Sequence, residues 1–151
     1  MDTHEGRLPI QDGIDVMTVG GVTFKRYLEI AQILNKETVV VTDNDGNIEA
    51  AKKKYREYEE IPCIHICVDE VVDTGDLKLS DKDFNYNTFE PKILKENGRE
   101  AMNNIFGTNY DTDDEMHKYM HAHKTDCAIA IFESATKIKY PEYIMRAIKN
   151  E

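Results

Sequence analysis

The sequence predicts an α/β fold, a parallel sheet flanked by helices with a helical C-terminal third. Thr38-Val39-Val40-Val41-Thr42 is a continuous β-branched run of the kind buried on both faces of a parallel sheet. Apolar residues at helical spacing precede it (Phe24, Leu28, Ala31, Leu34), and an Ala-, Glu- and Lys-rich stretch follows it. From Pro91 onward the pattern is helical throughout.

Taken in order, Met1 to Asp12 is polar, holds a proline and has no periodicity. Residues 1–12 are therefore expected to be a disordered lead-in or an expression remnant, with one domain over 13–151. Ile14, Val16 and Val19 predict a short strand ending in the Gly20-Gly21 turn, and Thr23 stands where a helix cap belongs. With Thr38–Thr42 this makes strand, helix, strand, a right-handed crossover unit. Ile48 to Tyr58 suits an exposed helix over the sheet. Cys63-Ile64-His65-Ile66-Cys67-Val68 supplies a third strand, and the acidic stretch after it holds a short strand at Leu77-Lys78-Leu79. Helices are expected over Pro91–Phe106, Thr112–His123, Lys124–Thr136 and Pro141–Lys149.

A chain of 151 residues can bury a core without disulfides. Its three cysteines, Cys63, Cys67 and Cys127, make an odd count, and no leader pattern is visible, so a reducing, cytoplasmic location is expected. No apolar run approaches the ~20 residues that span a bilayer, and no membrane partner is expected. The formal charge of −10 argues against binding a phosphate backbone through the protein's own cations. DNA binding would need metal ions at an acidic site, or a basic partner domain.

Asp43-Asn44-Asp45-Gly46 follows the most apolar strand, at the carboxyl end where α/β sheets place their chemistry. Alternate residues of an extended turn point the same way, so Asp43 and Asp45 can face one Mg²⁺ or Mn²⁺, hard cations that prefer oxygen ligands. Gly46 lets the backbone turn into the next helix. The plain alternative is a polar turn with a helix cap. An EF-hand loop is excluded, because its required glycine and glutamate positions hold Ile48 and Lys54. A phosphatase of the haloacid dehalogenase type also places Asp-x-Asp-Gly after a strand, with the first Asp as nucleophile and the second as acid/base. That reading stays open, with Asp113-Asp114 as the nominee for its second acidic pair.

Several stretches in order resemble the Toprim domain of OLD-family (overcoming lysogenization defect) ATP-dependent endonucleases. They are Gly13 to Val16, Val19 to Leu28, Val39 to Asn47, Asn87-Thr88-Phe89-Glu90-Pro91, Asn97 to Glu100, Ile105 to Thr108, Lys124-Thr125-Asp126-Cys127-Ala128 and Pro141 to Ile144. The likeness covers roughly residues 13 to 150 and rests on the combination more than on any one motif. It implies a Toprim-like Rossmannoid sheet and a Mg²⁺- or Mn²⁺-dependent DNA endonuclease domain, with Asp43, Asp45 and Glu90 binding metal and Lys124 contributing to catalysis. It also implies an ABC-type ATPase domain in the same polypeptide as the seat of any ATP dependence; homodimerisation is a further expectation. Toprim domains open with a glutamate-bearing strand, and Glu5-Gly6 lacks an apolar strand before it. The chain is therefore expected to be the C-terminal part of a longer ATPase-nuclease, or a truncated relative, weakly active alone. The alternative is a non-catalytic remnant serving as a binding or assembly module.

Other clusters have more ordinary readings. His117, His121, His123 and Cys127 invite zinc but fall on more than one helix face. Cys63, His65 and Cys67 share one strand face, from which three ligands cannot easily wrap a tetrahedral ion. Lys52, Lys53, Lys54 and Arg56 read as a solvated helix face, with contact to DNA phosphates as the alternative.

Overall fold

The computed structural model describes residues 9–19, 23–80 and 84–149. Its sheet has two parallel strands, β1 (Thr38–Thr42) and β2 (Ile64–Val68), paired from Thr38 opposite Ile64 to Thr42 opposite Val68. Helix α2 (Ile48–Tyr55) and a 3₁₀ turn at Arg56–Tyr58 make the crossover between them. Helix α1 (Phe24–Ile33) precedes β1. Five helices follow β2: α3 (Phe89–Asn97), α4 (Arg99–Phe106), α5 (Asp113–Ala122), α6 (Lys124–Glu133) and α7 (Glu142–Lys149). This is the expected α/β architecture with a helical C-terminal third.

Two apolar clusters hold it together. Phe24, Leu28, Tyr55, Tyr58, Cys63 and Ile64 pack α1 and α2 against one sheet face, joined by Val40 and Ile66. Ile93, Leu94, Met102, Met116, Met120 and Cys127 form the second cluster among α3 to α6. Helix α7 packs on both strands. Helix α5 starts with a capping box, Thr112 and Glu115 satisfying each other's backbone N–H.

Several expectations need correction. Residues 14–19 form no strand: they have no ladder partner among the described residues, and Ile14, Val16 and Met17 are exposed. The Gly20-Gly21 turn and Val22 lie outside the described residues. So do residues 1–8, including Glu5-Gly6; Pro9–Asp12 is an exposed 3₁₀ turn. Thr23 has helical dihedrals (φ −68°, ψ −22°), not the extended ones of a cap. Leu77-Lys78-Leu79 is irregular. β1 is not buried on both faces: Val39 and Val40 are half-buried and Val41 is 46 % exposed, and among the described residues β1 has one neighbouring strand instead of two. The single helix expected over Pro91–Phe106 is two, broken at Gly98, whose φ of +78° and ψ of 158° leave the helical region. Asn97 secures that corner, its amide donating to Ile93 O and Lys139 O at 2.9 Å and accepting from Lys139 N at 2.7 Å.

Candidate metal centre

The acidic turn is fixed by its middle residue. Asn44 is 1 % exposed, and its Nδ2 donates to Asp69 O (3.0 Å) and Val71 O (2.8 Å). Its Oδ1 accepts from Gly46 N (2.7 Å), and its carbonyl accepts from Asn47 N. The chain then reverses through two left-handed residues, Asp45 (φ +49°) and Gly46 (φ +86°), before Asn47 caps α2 by accepting from Ala50 N at 2.9 Å. Aspartate tolerates that conformation better than most residues, and glycine adopts it freely.

The parallel register brings a second acid to the same end. Asp69 follows β2 as Asp43 follows β1, and Asp69 N donates to Thr42 O at 3.0 Å, carrying the ladder one residue beyond the strands. Asp69 forms a buried ion pair with Lys92 on α3, whose Nζ also donates to Val71 O at 2.6 Å. Two residues earlier on α3, Glu90 is 8 % exposed and its Oε1 meets Lys124 Nζ at 2.6 Å. Lys124 is the first residue of α6 and 59 % exposed, reaching Glu90 from the chain bend at His123. Asp45 Oδ1 receives a long contact from Asn85 Nδ2 at 3.4 Å.

Of the four residues nominated from sequence, the fold joins Glu90 directly to Lys124 and places Asp43 within the electrostatic reach of Asp45 and Glu90. Burial pushes the Asp43 carboxyl above its ordinary range, and the charges of Asp45, Glu90 and Asp69 push it the same way. Tyr143 of α7, itself buried, has its phenol raised by burial and then by Asp43, Asp69 and Glu90, which sets it against the same acids. Asn44, Asp69, Lys92 and Tyr143 were missed by sequence reading. Asp69 obeys the rule that selected Asp43, an acid directly after an apolar strand; a buried lysine and a buried tyrosine in amphipathic helices leave no comparable signal.

Among the described residues no group of three or more His, Cys, Asp or Glu side chains closes to metal-binding geometry. The donor chemistry nevertheless fits a hard divalent cation: Asp45, Glu90 and Asp69 all act on the Asp43 carboxyl and raise its pKa, while Lys92 compensates Asp69 and Lys124 compensates Glu90. His117 packs against Phe84 with ring centroids 3.9 Å apart, while His123 stacks on Tyr119 and Cys127 lies in the second core cluster. The histidines and Cys127 thus serve separate surroundings. His65 is exposed beside Glu37 while Cys63 is a core residue. Asp113 pairs with Arg99, and Asp114 with Lys118 and Ser80 N, which commits the phosphatase reading's nominees elsewhere. In the basic cluster, Lys52 pairs with Glu70 and Lys54 lies over the Phe24 ring at 4.8 Å.

No helix among the described residues is long and apolar enough to cross a membrane. No curated protein and no solved structure matches the chain. A family model does match: over residues 1–45, a span that takes in both Asp43 and Asp45, the chain is similar to the family described as "Overcoming lysogenization defect protein-like, TOPRIM domain", the one its motifs resemble.

Proposed function

We propose that this chain is a nuclease-type Toprim domain that hydrolyses DNA phosphodiesters at the acidic centre, with Mg²⁺ or Mn²⁺ held by Asp43, Asp45 and Glu90. The observation that carries this is that Asp45, Glu90 and Asp69 all act on the Asp43 carboxyl at the carboxyl end of the sheet, four acids against the two lysines, Lys92 and Lys124, that pair with them. A bound divalent ion there would lower the pKa of a water and stabilise charge on the phosphate oxygens. Glu90 stands in the first turn of α3, and its charge acts on Asp43. Lys124 offers a half-exposed ammonium that can neutralise charge developing on a phosphate oxygen. ATP dependence, if any, belongs to an ABC-type ATPase domain outside these residues. With a charge of −10, approach to DNA calls for such a cation or for a basic partner domain.

A second reading, a non-catalytic binding or assembly module, is favoured by two observations: Lys124 already neutralises Glu90, and no three acids close on one point among the described residues. Calorimetric titration with Mg²⁺ and Mn²⁺, on the wild type and on Asp43→Ala/Asp45→Ala, separates the readings when paired with supercoiled-plasmid nicking. Binding and nicking that both vanish in the double variant support the nuclease. Binding without nicking supports the module, and no binding at millimolar metal rejects the metal centre.

A further inference from the structure

We infer that Asn44 and the buried Lys92–Asp69 pair are positioning residues that hold the Asp43-Asn44-Asp45 turn in the shape that receives a divalent cation. The inference rests on the metal reading above and adds residues that neither the motifs nor the family match assign. Three connected observations carry it.

Asn44 uses its whole side-chain amide. Both hydrogens go to the backbone after β2, and the oxygen goes to Gly46 N inside the turn. A turn with two successive left-handed residues, one of them Asp45, persists only where its surroundings over-determine it. The surface that Asn44 grips is itself braced: Val71 N donates to Asp69 Oδ1 at 3.0 Å, and Lys92 joins Asp69 while donating to Val71 O. Val71 O thus receives both Asn44 and Lys92, so one carbonyl links the turn to α3. Because α3 also carries Glu90, the brace sets the turn relative to the third proposed ligand. Lys92 and Asp69 are both about nine-tenths buried or more, so neither charge is simply a solvated surface group. Networks of this kind orient metal-ligating carboxylates, and breaking them typically lowers metal affinity about 10- to 100-fold.

The test is Mn²⁺ titration by calorimetry of the wild type, Asn44→Ala, Lys92→Met and Met102→Ala. Near-UV circular dichroism and urea unfolding in EDTA report on the fold of each. Met102 is fully buried in the second apolar cluster, so its truncation weakens the fold without touching the turn. Expected is a loss of about 10- to 100-fold in Mn²⁺ affinity for Asn44→Ala and Lys92→Met, with Met102→Ala binding as the wild type does. Folded Asn44→Ala and Lys92→Met proteins that bind Mn²⁺ like the wild type would overturn the inference and leave the metal reading intact. Equal weakening in Met102→Ala, or loss of the fold in both turn variants, would assign the network to stability alone and overturn it too. A wild type that takes up no Mn²⁺ rejects the metal reading itself, and the inference with it.

Discussion

Replacing Lys124 with Met removes one ammonium from the acidic centre and keeps most of the side-chain stem. Its partner Glu90 has a side chain 11 % exposed, so the carboxylate left behind is poorly hydrated and faces Asp43. Exposed ion pairs contribute about 0.2–1 kcal/mol, whereas stripping one partner from a buried pair costs about 3–5 kcal/mol. With Lys124 more than half exposed, the pair falls between these limits, and we expect a loss of about 1–2 kcal/mol in EDTA. For a domain of this size that lowers Tm by about 2–8 °C. Saturating Mg²⁺ should then raise Tm more in Lys124→Met than in the wild type, because the cation relieves a larger excess of negative charge there. Thermal melts followed by circular dichroism, with and without Mg²⁺, read both effects. An unchanged Tm in EDTA would refute the stabilising contact, and a drop that Mg²⁺ does not relieve would refute Glu90 as a ligand.

Two further outcomes follow from the titrating groups. Because burial and then the neighbouring acids raise Asp43 above the usual carboxylate range, the folded protein holds this proton where the unfolded chain releases it. Its contribution is complete below the unfolded chain's pKa and is lost as pH rises through the raised pKa. Asp43→Asn should therefore gain stability relative to the wild type as pH rises out of the ordinary aspartate range in EDTA, and urea unfolding at several pH values checks the sign. The Cys127 thiol is pushed up to about 11 by burial, then by Asp126 and Glu90, and all three cysteines are buried. Ellman's reagent at pH 8 should react slowly with the native protein and label all three thiols in denaturant.

The sequence announced the elements with strong local signals and missed those decided by distant ones. The Val39-Val40-Val41 run and the apolar stretch ending at Val68 marked both strands, since β-branched density is a local property. Ile14, Val16 and Val19 carry similar residues, but a strand is a paired structure and composition does not reveal whether a neighbour is there. The corner at Gly98 is bridged by Asn97 to Lys139, a contact across 42 positions. At the site, Asp43 and Asp45 were visible from their place after a strand, and Glu90 and Lys124 only through the resemblance. Lys92 looked like any helical lysine, because its partner lies in another segment.

The acidic centre draws its residues from both sides of the fold. Asp43 and Asp45 belong to the sheet side, Glu90, Lys92 and Lys124 to the helical side, and the Lys92–Asp69 bond already crosses the seam. An ion lodged there would tie the sheet side to the helical side at one further point, beside the packing of α7 on both strands. Its occupancy would thus be felt by amides far from any ligand, as slower hydrogen exchange in α1 and α6 alike, and the loading state of the centre would set how far the two halves open as one.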